Sequence, residues 1–190
     1  IINKYTDSRI RYFKIINNGI IAKSRNMGVK VSKGKWIAFL DSDDWWTKNK
    51  LEMCFKNIDD KIDFIYHKLD IIYDHSKSYL QKKKHVGRQL RKPILNDLLN
   101  SEIKLGNAIG NSSVIVRKDI LDRVGGISEN KNLVASEDFN TWLRIAQITN
   151  QFKYLNITLG YYLVHDNSAQ RRDLSIPHRE AVIQFMNLYD

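Results

Sequence analysis

The sequence predicts a single-domain α/β fold in which helices flank a sheet, and three observations lead to this prediction. Segments with helical periodicity alternate with short apolar or β-branched segments along the whole chain. The chain has 190 residues, 43% of them hydrophobic, which suffices to bury a core without disulfide bonds. No internal repeat or Pro/Gly-rich linker divides the sequence, so we expect a single domain over residues 1–190.

Strand-like and helical patterns alternate in the first part of the chain. Residues 10–16 are β-branched and aromatic and end at an Asn-Asn-Gly turn, which predicts a strand. Residues 20–33 have the apolar spacing of a helix, and residues 36–40 form the continuous apolar run of a buried strand. A further helix is predicted from about Thr47. Its core-facing residues are expected to be Leu51, Cys54, Phe55 and Ile58.

The same alternation continues to the end of the chain. Apolar, β-branched and aromatic runs predict strands at residues 64–67, 69–73, 113–116, 152–155 and 159–164. Helical spacing of apolar residues predicts helices that begin near Pro93, Lys118, Ser136 and Pro177. The helix after Lys118 is expected to stop at Gly125-Gly126. The last helix, residues 177–190, is amphipathic.

The charge distribution limits the partners that can be expected. The formal net charge is +10, and much of the excess lies in residues 74–97, which we expect to form a basic insertion. A basic surface attracts phosphates, anionic lipids or nucleic acid without choosing among them, and a solvated loop is the alternative interpretation. The sequence contains no nucleic-acid recognition motif, so no nucleic-acid partner is expected.

The cysteine content argues against a disulfide-stapled domain, and the length of the apolar runs argues against a membrane-spanning helix within this sequence. Cys54 is the single cysteine, which excludes a disulfide-stapled domain and fits a reducing compartment. No apolar run in the sequence reaches the roughly 18 residues that span a bilayer.

An acidic turn directly follows the buried strand predicted at residues 36–40. Asp41 and Asp43 are two residues apart, so in extended chain their side chains project to the same side. Ligands of open α/β sheets bind beyond the carboxyl ends of strands, and carboxylate pairs suit Mg²⁺ or Mn²⁺. The alternative is an acidic turn in which Asp44 or Thr47 caps the next helix.

A second acidic cluster begins the helix predicted from Ser136. With Ser136 as N-cap, Glu137 and Asp138 lie in the first turn, where the helix dipole favours an ionised carboxylate. One interpretation is simple complementation of the dipole. The other is a general base that is kept charged and ready to accept a proton from a hydroxyl group.

Several segments together resemble the family 2 glycosyltransferases, whose fold is called GT-A. They agree with the family in order and spacing over nearly the whole chain. These segments are Asn-Gly at 18–19, residues 22–28 with Arg-Asn at 25–26, residues 33–45 with the Asp-x-Asp turn, residues 111–118, Val-Gly-Gly-Ile-Ser-Glu at 124–129 and Ser-Glu-Asp-Phe-Asn-Thr-Trp-Leu-Arg at 136–144. Family members usually begin with an additional βαβ segment that grips the nucleotide base. The resemblance therefore implies a GT-A-like (Rossmann-like) domain, a mixed sheet flanked by helices, that is incomplete at its N-terminus.

The resemblance implies donor-binding roles for five residues. Asp43 would hold Mn²⁺ or Mg²⁺ on the donor diphosphate, and Asp41 would contact the ribose or the metal. His165 lies where some relatives place a histidine near the metal, although a single histidine at a strand end is more often structural. Arg25 and Asn111 would belong to the nucleotide-sugar site.

The resemblance also implies the reaction. Asp138 would be the base that activates the acceptor hydroxyl, with Glu137 beside it in the nucleotide-sugar site. The expected activity is metal-dependent transfer of a sugar, with inversion, from a nucleotide-sugar (a UDP-sugar) to a glycan or polyprenyl-diphosphate-linked acceptor, in the synthesis of bacterial surface polysaccharide. The expected location is the cytoplasm, peripheral on the inner face of the plasma membrane, where the basic surface could contact anionic lipid. The alternative is a catalytically silent fragment that binds anionic glycan or lipid.

Overall fold

The computed structural model describes residues 4–73, 106–165, 168 and 173–188. Three predictions concern segments outside this part of the chain: the basic insertion at 74–97, the helix that begins near Pro93, and the end of the helix predicted over 177–190. None of the helices in the described residues is long and apolar enough to cross a bilayer.

The strands form one mixed sheet. They are β1 (Trp36–Ala38), β2 (Trp45–Trp46), β3 (Phe64–Tyr73), β4 (Ile115–Arg117) and β5 (Phe152–Val164), in the order β1-β4-β3-β5-β2. β3 and β5 pair in parallel from Phe64 opposite Phe152 to Tyr73 opposite Val164. The other pairs, β1 with β4, β3 with β4 and β2 with β5, are antiparallel. The predicted mixed sheet is therefore confirmed.

The described residues form five helices, which lie against the sheet or against one another. They are α1 (Ile21–Val31), α2 (Lys50–Phe55), α3 (Lys118–Arg123), α4 (Glu137–Ile148) and α5 (Ser175–Met186). Two short 3₁₀ turns, Asn111–Ser113 and Lys131–Leu133, precede β4 and α4. α3 ends where it was expected to end, because Gly125 and Gly126 both adopt a positive φ of 75° that stops a helix.

Side chains of β3 alternate between two hydrophobic clusters, as the pleat of a strand requires. Phe64 joins the cluster that contains Trp142 of α4 together with residues of α1 and α3. Ile65 faces the opposite side, where it packs with Cys54 of α2 and Leu155 of β5. Helices therefore cover both faces of the sheet, which explains why the first four residues of β3 are all buried. A third cluster fastens α5 to α4.

The strand predicted at residues 10–16 is wrong. This segment forms no strand, because no described strand pairs with it. Its β-branched and aromatic composition cannot by itself supply the backbone partners that a strand needs. Instead, the Arg11 side chain donates a hydrogen bond to the Val31 carbonyl at the end of α1.

The core-facing side predicted for the second helix is also partly wrong. α2 begins at Lys50 rather than near Thr47 and buries Lys50 and Cys54 on its inner side. Leu51 and Phe55 are 43% and 51% exposed. The periodicity correctly predicted that Cys54 is buried, but Lys50 is buried beside it instead of the neighbouring Leu51.

Other boundaries differ in smaller ways. The two strands predicted at 64–67 and 69–73 form the single strand β3, and those at 152–155 and 159–164 form β5, because parallel pairing continues across an irregularity at His67 and Lys68. Residues 113–116 begin as a 3₁₀ turn before β4. The last helix begins two residues before Pro177, and its Met186 is exposed.

Candidate active site

One cleft of about 1050 Å³ contains all the predicted site residues. Its apolar wall comes from α1 and β1, and its polar end lies where the turn after β1 meets the N-terminus of α4. The predicted residues that line it are Arg25, Asp41, Asp43, Asn111, Glu137, Asp138 and His165. Residues from five separated parts of the sequence are thereby brought to one surface.

Arg25 of α1 joins the two acidic clusters. Its Nη2 donates to Asp41 Oδ1 at 2.6 Å and its Nη1 donates to Glu137 Oε1 at 2.5 Å. The Arg25 side chain is only 13% exposed. Burial acts to lower the pKa of Arg25, but the charges of Asp41, Asp138 and Glu137 together raise that pKa above its ordinary value. The guanidinium therefore stays charged and orients both carboxylates.

The 3₁₀ turn Asn111–Ser113 holds Asp41 from the other side. Asn111 Nδ2 donates to Asp41 Oδ1 at 2.8 Å, and the Asp41 backbone N–H donates to Ser112 Oγ at 3.0 Å. Asn111 Oδ1 is buried and accepts no hydrogen bond from the described part of the protein. A buried amide oxygen without a donor is costly, so a ligand that donates a hydrogen bond there would remove that cost.

Asp43 and His165 form a pair nearer the solvent. Asp43 Oδ2 lies 3.2 Å from His165 Nε2, and the His165 backbone N–H donates to Ser168 Oγ at 2.8 Å. A carboxylate oxygen and an imidazole nitrogen so close together are ligand types that Mn²⁺ accepts. Within the described ranges no group of three or more His, Cys, Asp or Glu side chains is arranged to hold a metal ion.

One interpretation of the sequence was that Asp44 or Thr47 caps the following helix, and the structure shows that neither does so. Its Oδ1 accepts the backbone N–H of Leu163 at 3.1 Å, which ties the acidic turn to β5. Burial raises the pKa of Asp44 to about 6, although hydrogen bonds from Ser112 and Leu163 act to lower it. Thr47 donates its hydroxyl to Asn49 Oδ1, and the residue before α2 makes no side-chain cap hydrogen bond.

Asp138 lies in the first turn of α4, at the polar end of the cleft. Its Oδ1 accepts the Phe139 backbone N–H at 2.7 Å, and Asn107 Nδ2 lies 3.3 Å from both carboxylate oxygens. Burial first, and the neighbouring charge of Glu137 second, raise the pKa of Asp138 to about 7, while the charge of Arg25 acts to lower it. The helix dipole was expected to favour the ionised form of Asp138; burial and the charge of Glu137 act in the opposite direction and place its pKa above that of an ordinary carboxyl group.

The turn at residues 124–129 fixes α1 against α4. Asn26 Nδ2 donates to the Ile127 carbonyl at 2.8 Å, and the Ile127 backbone N–H donates back to Asn26 Oδ1 at 2.9 Å. From α4, the buried Arg144 donates to the carbonyls of Val124 and Gly126. Gly126 has a positive φ of 75°, and a Cβ there would lie 3.0 Å from Asn26 Oδ1, so both the backbone conformation and the close approach favour glycine. The turn thereby sets the separation of the helices that carry Arg25 and Glu137.

Three further residues of the cleft had no signal in the sequence. Asn107 precedes the 3₁₀ turn, Tyr162 comes from β5 and His178 from α5. His178 Nδ1 lies 2.7 Å from the Leu174 carbonyl and 3.4 Å from Ser136 Oγ, and the ring packs 5.2 Å from that of Phe139. Ser136 occupies the predicted N-cap position of α4, but its side chain makes no cap hydrogen bond.

Comparison with known families identifies similar sequences. The model of the family "Glycosyl transferase family 2" matches residues 1–125. The Escherichia coli protein WfaP, named UDP-Glc:alpha-D-GlcNAc-diphosphoundecaprenol beta-1,3-glucosyltransferase, is 30% identical over 168 residues, which cover 88% of this chain and 61% of WfaP. WfgD of E. coli, which has the same enzyme name, is 40% identical over 77 residues, or 38% of this chain and 29% of WfgD. The chain thus spans less than two thirds of these relatives.

Solved structures of TarS from S. aureus resemble the fold. Full TarS superposes with a TM-score of 0.60 at 20% identity, over 93% of this chain and 27% of TarS. The TarS 1–349 fragment solved with UDP has a TM-score of 0.56 at 21% identity, over 80% of this chain and 42% of the fragment. A third structure holds the same fragment with UDP-GlcNAc. At this identity the similarity establishes the fold alone.

Proposed function

The chain belongs to glycosyl transferase family 2, and from that premise we propose that the protein transfers a sugar from a UDP-sugar to a hydroxyl of a polyprenyl-diphosphate-linked acceptor. The observation that carries this proposal is the cleft in which the Asp-x-Asp turn, Arg25 and Asp138 converge. The printed names of WfaP and WfgD support a UDP-sugar donor and a lipid-linked acceptor. The TarS fragment structures with UDP and UDP-GlcNAc support the same class of donor.

We assign donor binding to the side of the cleft around Asp41. Both terminal nitrogens of Arg25 donate hydrogen bonds to carboxylates. Arg25 therefore orients Asp41 and Glu137, and these two nitrogens do not bind phosphate. The buried Asn111 Oδ1 is a ready acceptor for a hydroxyl or N–H of the donor. Arg25 and Asn111 fix the Asp41 carboxylate, which is positioned to accept a hydrogen bond from a ribose hydroxyl.

The residues present fit a divalent cation that the donor helps to bind. Asp43 and His165 would supply two ligands, and water and diphosphate oxygens would complete the shell, as is common for Mg²⁺ and Mn²⁺ sites. When bound, such a cation stabilises the negative charge that develops on the departing nucleoside diphosphate.

Asp138 accepts the proton of the acceptor hydroxyl. As that oxygen forms its bond to the anomeric carbon, the bond from that carbon to the diphosphate oxygen breaks, and the proton moves to a carboxylate oxygen of Asp138. Attack from the face opposite the leaving group inverts the anomeric configuration. A pKa of about 7 suits this role, because a base works best when its pKa lies near the working pH. Asn107 and the Phe139 N–H hold the carboxylate in place.

The test separates binding from turnover. We expect Asp138→Asn in the full-length gene product to lower turnover of UDP-glucose, measured as UDP release with a lipid-linked acceptor, by at least about a hundredfold. UDP binding measured by calorimetry should stay within about twofold, since the amide keeps the shape of the carboxyl group. Asp122→Asn, on the exposed side of α3, is the matched control and should change neither quantity. Undiminished turnover in Asp138→Asn would contradict the assignment of the base.

A polyprenyl acceptor also suggests where the protein works, and we propose that it docks peripherally on the inner face of the plasma membrane. The net charge of +10 favours anionic lipid. On α5, Ile176 is 75% exposed and Met186 is 49% exposed, which supplies an apolar contact. Co-sedimentation with liposomes should therefore increase with the anionic lipid fraction, and binding that ignores this fraction would contradict the proposal.

A further inference from the structure

A buried lysine lies behind the Asp-x-Asp turn. Lys50 is the first residue of α2 and is 0% exposed. Its Nζ donates a hydrogen bond to the Ser112 carbonyl at 3.0 Å and lies 3.6 Å from the centre of the Trp46 ring. Trp46 Nε1 donates to the same carbonyl at 2.8 Å. The Ser112 carbonyl oxygen thus accepts two hydrogen bonds, from Trp46 and Lys50, which both follow the acidic turn in the sequence.

The residue that Lys50 holds also holds Asp41. Ser112 Oγ accepts the Asp41 backbone N–H at 3.0 Å, and the preceding residue, Asn111, donates its side-chain amide to Asp41 Oδ1 at 2.8 Å. The 3₁₀ turn is therefore fixed from behind by Lys50 and Trp46, and on its other side it fixes Asp41. A shift of this turn would displace the Asp41 carboxylate.

Stability alone does not account for a lysine at this position. Among the described residues no carboxylate lies within ion-pair distance of Lys50 Nζ, and the ionisable neighbours that interact with it electrostatically are Cys54 and His67. Burial lowers the pKa of Lys50 to about 7, so the charged form is disfavoured where it lies. An apolar residue of similar volume at a buried charged position is often neutral or stabilising.

We propose that Lys50 is a positioning residue for donor binding, which acts through the Ser112 carbonyl to fix Asp41. This inference rests on the proposed function, because it assumes that Asp41 contacts the nucleotide. Lys50 keeps the 3₁₀ turn in the one arrangement in which Ser112 Oγ and the Asn111 amide both reach Asp41. Trp46 has the same role through its indole N–H, and the two side chains form one unit.

The test compares donor binding with stability in the full-length gene product, with UDP and Mn²⁺ as the probe. We expect Lys50→Met to weaken UDP binding and raise the KM for UDP-glucose by about tenfold, since small displacements of positioning groups have large effects. Its kcat should change by less than about threefold, and its melting temperature should be equal to or higher than that of the unchanged protein. Lys48→Met, at an exposed lysine two residues earlier, is the control and should change none of these.

A second variant keeps the inference testable if Lys50→Met does not fold. Trp46→Phe retains the ring under the ammonium but removes the N–H donor, and it should also weaken UDP binding several-fold. Where both variants fold, the double variant should bind UDP no worse than the weaker single variant, because both side chains act on one carbonyl. Fully additive losses, or unchanged UDP binding in both single variants, would overturn the inference. If the unchanged protein binds no UDP with Mn²⁺, the proposed function itself fails, which is a distinct result.

Discussion

The Arg25→Met substitution tests whether the bridge between the two acidic clusters stabilises the fold. Methionine keeps an apolar stem but leaves Asp41 and Glu137 without their shared donor. The Glu137 side chain is 6% exposed, and its Oε2 is buried without a hydrogen-bond partner in the described residues. The substitution therefore removes the guanidinium that pairs with a buried carboxylate.

The expected loss follows from these contacts. Removing one partner of a buried ion pair costs about 3–5 kcal/mol, whereas exposed pairs contribute about 0–1 kcal/mol. Because the Asp41 side chain is 29% exposed, most of the effect should come from Glu137. We therefore expect the free energy of unfolding to fall by about 3 kcal/mol, the lower end of the buried range.

Urea unfolding monitored by tryptophan fluorescence measures this loss. Arg9→Met is the matched control, because Arg9 pairs with Asp7 at the surface, and it should unfold like the unchanged protein. Arg25→Met combined with Glu137→Gln should recover part of the stability, since the neutral amide no longer leaves a buried charge unpaired. A loss below about 1 kcal/mol in Arg25→Met, or a double variant less stable than the single one, would refute this reasoning.

Two further predictions concern protons and metal. The pKa of Asp138 is raised to about 7, above its unfolded value near 4, so between these pH values the native state retains a proton that the unfolded chain releases. The free energy of unfolding should therefore fall as pH rises from about 4 to about 7. When this free energy is measured by urea unfolding at several pH values, its decrease with pH should be smaller in Asp138→Asn. Calorimetry should show that Mn²⁺ tightens UDP binding by about tenfold or more but leaves uridine binding unchanged. Asp43→Ala should remove this effect of Mn²⁺ on UDP. Equal tightening of uridine binding would contradict a metal on the diphosphate.

The positions of the candidate site residues could be predicted where local sequence determines them. Asp41 and Asp43 follow a short apolar strand, so the end of the sheet at which they lie follows from the alternation of elements. The expectation that this strand is buried on both faces is wrong, because β1 is an edge strand of which only Ile37 is buried. Glu137 and Asp138 could be placed in a first helical turn for a similar reason. The raised pKa of Asp138 could not be predicted, because its main cause is burial, which depends on how distant segments pack around the start of α4.

The errors in the fold have the same origin. Residues 10–16 have the composition of a strand, yet a strand exists only where another strand pairs with it, and composition does not report pairing. For α2, apolar spacing placed Leu51 and Phe55 inside, whereas the structure buries Lys50. A lysine can be buried there because the Ser112 carbonyl and the Trp46 ring receive its ammonium, and both contacts depend on the tertiary structure.

The charges of the cleft connect donor binding to proton transfer. Four acidic residues, Asp41, Asp43, Glu137 and Asp138, line it together with Arg25, whose charge is already shared by two of them. In the proposed mechanism, a nucleoside diphosphate adds negative charge to this group, so it binds well only with a cation beside it, for which Asp43 and His165 are the proposed ligands. Negative charge that develops on the leaving diphosphate would then raise the proton affinity of Asp138, the proposed base. The acidic groups that oppose donor binding without metal would thereby assist proton transfer once the donor is bound.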